Sequence, residues 1–194
     1  MRYLVLWVFA AALLLAAGCE PDEANRTELK TGHEIDSSRL RPGLDLSYVE
    51  DSLGSAAEVA DAKAVRRGVI SRVELPGIER GERFGLQFRG YLRIPFDDVY
   101  TFELTSDDGS QLIINNTLVI DHDGWHTSSR RVGSIGLARG HHRLRILYFQ
   151  GVSDRKLALR VRRGGQPFET VPDAWFYVED RLVVDPDLPM TDAP

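Results

Sequence analysis

Cysteine is almost absent from this chain. Cys19 is the single one in 194 residues, which excludes an internal disulfide and any cluster of cysteine ligands around a metal. An excess of positive charge is absent too. Lysine and arginine number 24 against 29 aspartates and glutamates, a formal net charge of −5, and the basic residues are spread along the chain, so no nucleic-acid partner is expected. The one long apolar run, residues 3–15, is shorter than the ~20 residues a membrane-spanning helix needs. Convincing apolar stripes at helical spacing are missing, and the alanine-rich stretch 55–67 supports a short helix at most. No nucleophile motif is recognisable, nor a second domain to build the cleft in which glycosidase carboxylates stand about 5–9.5 Å apart, so catalysis is not expected.

The place of the lone cysteine carries information. Met1 and Arg2 give a short positive start, the apolar run follows, and Leu15, Ala16, Ala17 and Gly18 lead into Cys19. This resembles the bacterial lipoprotein signal, with Ala16 where leucine is more usual. The resemblance implies removal of residues 1–18, acylation of Cys19 (palmitate among its chains) and a membrane anchor, each buried CH₂ contributing about 0.8 kcal/mol. Glu20 stands where an aspartate would signal inner-membrane retention, so the resemblance implies a cell-envelope protein on the outer membrane. Residues 19–40 are polar and read as a flexible tether, 41–178 as one domain, and 179–194 as an acidic, proline-bearing tail.

Within 41–178 the period is that of strands. Leu44, Leu46 and Tyr48 alternate with polar residues, as do Phe88, Leu92 and Ile94. Tyr100, Phe102 and Leu104 repeat the pattern, and so do Leu144, Ile146, Tyr148 and Leu157, Leu159, Val161. A further strand is expected over 69–75, and Asn115 and Asn116 suit a hairpin corner because asparagine tolerates the left-handed region. Many short strands with frequent turns predict an all-β fold, an antiparallel β-sandwich or barrel with little helix.

Between two of these strands lie Ser106, Asp107, Asp108, Gly109 and Ser110. Adjacent carboxylates, flanking hydroxyls and a glycine able to take positive φ suit either a tight turn or a hard-cation site. Successive side chains of an extended segment point to opposite faces, so gripping one ion requires a special turn or a cis peptide between the aspartates. Spacing alone leaves both readings open. The loop 121–126 is a second candidate surface. Trp125 offers a flat face for sugar C–H groups if exposed, or plugs the sandwich end if buried. His122 and His126 have a metal-ligand spacing on a helix, but in a glycine-containing loop they read as polar loop residues. His141 and His142 mark a strand entry, and Arg160, Arg162 and Arg163 a charged strand face.

The succession of Phe88, Gly90 and Tyr91, then Tyr100 and Phe102, then Ser106 to Ser110, then Val119 and Asp121 resembles the anthrax protective-antigen-type, or PA-fourteen, domain. Asp123, Gly124, His126, Leu137, Gly140, His141, Tyr148 and Gln150 continue the likeness, which spans 41–178. It implies a β-sandwich, and in sugar-binding members a calcium ion held by adjacent aspartates joined by a cis peptide, the ion in turn coordinating sugar hydroxyls. The matching positions are Asp107 and Asp108. The family draws another ligand from a late-loop asparagine, where this chain has Ser153 and Asp154 instead. The resemblance thus implies calcium on Asp107, Asp108, Ser153 and Asp154, and a glycan against Asp107, Asp108, Trp125 and His126. The alternative is a structural or protein-contact domain in which the aspartates only turn the chain.

Overall fold

The computed structural model describes residues 28–78 and 80–180. The expected signal peptide, Cys19, the first part of the tether and the tail beyond Asp180 lie outside the described residues. Among the described residues twelve strands form two antiparallel sheets. The larger runs in the order β1 (Leu40–Pro42), β12 (Phe176–Glu179), β4 (Phe84–Ile94), β9 (Gly140–Gln150), β6 (Ser110–Ile114) and β7 (Thr117–His122). In the same sheet β2 (Leu44–Val49) pairs with both β4 and β3 (Arg66–Ile70). The smaller sheet orders β11 (Glu169–Thr170), β10 (Lys156–Arg163), β5 (Asp98–Asp107) and β8 (Ser129–Leu137).

The alternating rows meet between the sheets as expected. Phe88, Leu92, Leu112, Leu144 and Ile146 of one sheet pack with Tyr100, Phe102, Leu104, Leu159 and Val161 of the other, all nearly fully buried. Burial of each such side chain stabilises the fold by roughly 1.5–3 kcal/mol before the entropy of ordering is set against it. Asn115 and Asn116 both take the left-handed conformation, φ 49° and 63°, and turn β6 into β7.

Three departures have physical causes. β2 was expected to be half-buried, yet every residue of it is buried, because its outer face is also covered. There Leu53, Ala56 and Val59 pack with Val49, Ile113, Leu147 and Phe149 as a second apolar cluster. The alanine-rich stretch supplies this lid with only a single 3₁₀ turn, Ala57–Ala60. The strand expected over 69–75 is Arg66–Ile70, which pairs with β2 from Tyr48 to Leu44. Finally, part of the stretch read as a tether is held against the domain. The Lys30 amide donates to the Gly136 carbonyl at 2.9 Å, its carbonyl accepts from Ala138 N at 2.9 Å, and His33 N donates to the His141 carbonyl at 2.7 Å.

Because β5 pairs its Asp98 end with Leu137 and its Asp107 end with Lys156, the two ends of the sandwich carry different loops. Lys30 and His33 sit by the β8–β9 turn, and the aspartate pair sits at the far end of β5.

Candidate functional site

The Asp107–Asp108 peptide is cis, and both carboxylates line one open cavity of about 520 Å³ at the end of the sandwich. The loop after β7 contributes His126, Thr127 and Ser128 to it, and the loop after β9 contributes Val152, Ser153 and Asp154. Asp107 and Asp108 are 7% and 5% exposed, so their charges sit in a concavity rather than in bulk water.

Asp108 ties the two loops together. Its Oδ2 accepts from Gly151 N at 2.9 Å and its Oδ1 from His126 N at 3.3 Å. Asp107 is held above the usual carboxylate range by burial first, then by the charges of Asp108 and Asp154, against the pull of the Ser128 amide and His126. Loss of hydration is what chiefly raises it, and the neighbouring carboxylates add to the shift.

Gly109 is required here by close approach, not by the positive φ that the sequence suggested. A Cβ on it would stand 2.4 Å from Phe149 Cε1 and 2.8 Å from Asp123 Oδ1. Beneath the pair a polar bed is fully buried. Ser106 and Ser110 share a 2.7 Å hydroxyl contact, and Ser106 Oγ lies 3.3 Å from His122 Nδ1. The Tyr148 hydroxyl sits 2.6 Å from the Asp107 carbonyl oxygen and 2.5 Å from Gln150 Oε1; its single proton serves one of them at a time. Gln150 Nε2 donates to the Asp154 carbonyl at 2.9 Å and the Val152 carbonyl at 3.3 Å, and so shapes the late loop.

Ser153 and Asp154 therefore line the same cavity as the aspartate pair, Ser153 with φ 73°. His126 lines it as well, but Trp125 does not. Trp125 is 58% exposed, which rules out the core plug. Its ring meets Phe149 edge-on at 5.6 Å and stands over Gly151, where an added Cβ would fall 1.9 Å from Cζ3. It forms one wall of a neighbouring cavity of about 190 Å³ with Leu53, Arg83 and Gly151. Gly151 is thus the shared wall, its N–H on Asp108 and its carbonyl accepting from Arg83 N at 2.8 Å.

Of the two histidines read as polar loop residues, His126 is one, whereas His122 is the buried last residue of β7. The His122 and His126 rings stack at 4.0 Å and 13°. His122 Nε2 lies 2.9 Å from Ser129 Oγ, while His126 places its nitrogens 3.0 and 3.1 Å from the carbonyls of Thr127 and His122. Among the described residues no group of three or more histidine, cysteine, aspartate or glutamate side chains is gathered closely enough to hold a metal by itself. The oxygen groups that line the cavity are three carboxylates, from Asp107, Asp108 and Asp154, with the hydroxyls of Thr127, Ser128 and Ser153, and Arg155 and Lys156 line it beside them. That chemistry fits calcium rather than a transition metal, provided that backbone, water or a ligand supplies the rest of its six to eight oxygens.

The arginine face of β10 is internally partnered. Arg160 meets Glu103 at 3.0 Å, Arg163 meets Asp98 at 3.5 Å, and the Arg162 guanidinium lies 4.7 Å from the Phe168 ring centroid.

Two residues at the site were not singled out as site residues by sequence reasoning. Gln150 continues the inward row of Leu144, Ile146 and Tyr148, and a polar residue in an apolar row signals a buried, hydrogen-bonded group. Asp123 lay within the candidate loop 121–126 and the family likeness, but nothing in the sequence signalled the contact it makes. Its carboxylate accepts from Ala56 N at 2.6 Å, docking the Trp125 loop onto the lid from 67 residues away.

A family profile described as "PA14 domain" matches residues 41–175. Comparison with curated proteins returns no match. Among solved structures, an anti-sigma factor domain-containing protein superposes with TM-score 0.63 at 18% identity, covering 74% of this chain and 50% of that one, so this chain spans half the length of that protein. A PA14 sugar-binding domain from an RTX adhesin gives TM-score 0.59 at 18% identity, covering 71% and 98%. The epithelial adhesin 9 A domain from Candida glabrata, in complex with Galβ1-3GlcNAc, gives 0.63 at 10% identity, covering 78% and 96%.

Proposed function

This chain belongs to the PA14 domain family, and on that premise we propose that it is a carbohydrate-binding module rather than an enzyme, held in the bacterial cell envelope by an acylated Cys19. The observation that carries the reading is the placing of the Asp107 and Asp108 carboxylates on one open cavity together with Ser153 and Asp154. These residues would hold a calcium ion, which supplies the cavity with a cation whose open coordination positions take pairs of sugar hydroxyls. Support comes from the electrostatics of the site. Asp107 is raised by burial and by two neighbouring carboxylates, so a cation there relieves a repulsion the apo fold must bear. Support also comes from the adhesin domains whose folds it shares, one of them described as sugar-binding and one complexed with a disaccharide. His126 borders the cavity, and the exposed Trp125 ring beyond Gly151 would extend the contact to a second sugar unit. The lipoprotein-type sequence around Cys19, followed by Glu20, supports anchoring on the outer membrane.

One observation favours a structural reading as well. Both oxygens of Asp108 already accept backbone N–H groups from two loops, which is work an aspartate can do without any ion. Calcium titration of the full chain by calorimetry, in a sugar-free non-ionic detergent, separates the two. The expected result is binding at micromolar to millimolar affinity that is lost in Asp107→Ala/Asp108→Ala. The melting temperature should rise with it, since calcium at 100 times its Kd stabilises the folded state by about 2.7 kcal/mol. No heat and no shift in the unaltered protein would reduce the pair to a loop staple and end the calcium reading.

A further inference from the structure

On the outer face of the larger sheet a separate cavity of about 330 Å³ opens where β2 and β12 meet end to end along β4. It shares no lining residue with the aspartate cavity. Strand pairing lays one row of side chains across its floor: Asp45 opposite Arg89, Arg89 opposite Arg145, and Arg145 opposite Ile113. In the next outward row Tyr91 stands opposite Arg143. The intervening residues, Phe88, Leu92, Leu144 and Ile146, point into the core, so the three guanidinium groups belong to the outer face.

Two features of this floor are unfavourable to the fold. Like charges directly opposite on neighbouring strands destabilise a sheet, and Arg89 and Arg145 are such a pair. Elsewhere Arg41, Arg72, Arg80, Arg130, Arg160 and Arg163 each find a carboxylate within 4.0 Å. Arg89, Arg143 and Arg145, all exposed, have no carboxylate within that distance among the described residues, and the Glu179 carboxylate at the rim of the cavity accepts from the Tyr91 hydroxyl at 3.3 Å. Beside them Asp45 is only 6% exposed, and its Oδ1 has no hydrogen-bond donor. Burial raises its affinity for a proton, against the pull of Arg89 and Arg67. An acceptor buried without a donor costs free energy that a ligand with a hydroxyl would return.

We propose that this cavity is a second binding site, for a sugar carrying an oxyanion, with the anion on Arg89, Arg143 and Arg145 and a ring hydroxyl donating to Asp45. Guanidinium forks match the paired oxygens of carboxylate and phosphate. Tyr91, Ile113 and Val178 supply apolar surface for the ring, and the volume lies at the small end of ligand pockets, the size of one sugar unit. The proposal does not use calcium and stands or falls apart from the aspartate site.

The test is titration of the full chain in EDTA, where a calcium site is silent, with glucuronate, glucose 6-phosphate, glucose and inorganic phosphate in turn. At least one anionic sugar should bind, at least about tenfold tighter than neutral glucose and than inorganic phosphate, and the tighter of the two identifies the oxyanion. Arg145→Gln should weaken that binding by about tenfold or more while its melting temperature holds or rises, because a like-charge contact is removed. Asp107→Ala/Asp108→Ala should leave it unchanged. Equal binding of glucose, retention of affinity in Arg145→Gln, or absence of binding by both anionic sugars would overturn the assignment. So would a lower melting point of Arg145→Gln, which would make the arginine a structural group.

Discussion

Lowering the pH from about 7 to about 4.5 should cost this fold stability through His122, because its ring has no room for a charge. The residue is 5% exposed, lies 3.3 Å from Ser106 Oγ and 2.9 Å from Ser129 Oγ, and has the His126 ring stacked on it at 4.0 Å. Burial, then His126 and Arg131, lower its pKa from 6.5 to about 4, and Asp121 pulls weakly the other way. The unfolded chain therefore takes up the proton first. The contribution of the neutral ring is whole above 6.5 and is lost as the pH falls toward 4. The interval corresponds to about 3 kcal/mol at the limit, of which roughly 2–2.5 kcal/mol is gone by pH ~4.5, against a typical domain stability of about 5–15 kcal/mol. Urea denaturation across this range, for the natural protein and for His122→Gln, is the assay. A glutamine amide can bond to both serines and carries no charge. His141 and His142, both lowered by burial, act in the same direction in both proteins. Asp45 and Asp107, both raised, gain stability as the pH falls, again in both proteins. The difference between the two curves thus isolates His122. It should shift by about 2 kcal/mol in favour of the variant on acidification. A difference that stays constant with pH would refute the argument.

Two other substitutions probe the scaffold. Gln150→Ala removes the amide that braces the Val152 and Asp154 carbonyls, and should cost about 2 kcal/mol of stability. It should also speed hydrogen exchange across residues 152–155, and unchanged exchange there would show that the loop holds its shape without Gln150. Gly133→Ala places a Cβ 2.1 Å from the Val119 carbonyl oxygen, where β8 crosses β7. Neither strand can yield by a rotamer change, so a loss of about 1–3 kcal/mol is expected in thermal melts, and an unshifted melting temperature would contradict the close approach.

Much of this architecture was legible because strands announce themselves by a period of two. The rows led by Phe88, Tyr100, Leu144 and Leu157 all face the core. The asparagine hairpin was legible for a different reason, since Asn115 and Asn116 are residues that accept left-handed φ. The full burial of β2 was not legible, because the lid over its outer face is irregular chain with no period of its own. Asp107 and Asp108 could be named from their chemistry and from the family likeness. Which neighbours they meet was settled elsewhere in the chain, by Gly151 and His126, 43 and 18 residues away.

Local sequence by itself determined the composition class, the strand periods, the turn residues and the identity of the oxygen-rich corner. Each of these depends on a residue and its close neighbours. Tertiary structure alone decided that Trp125 is exposed while His122, three residues earlier at the end of β7, is buried, since what the fold sets against each comes from elsewhere in the chain. It also decided that Asp45, Arg89 and Arg145 stand side by side in one cross-strand row. The three come from strands 44 to 100 residues apart, and only hydrogen-bond register across a sheet brings such residues into one row.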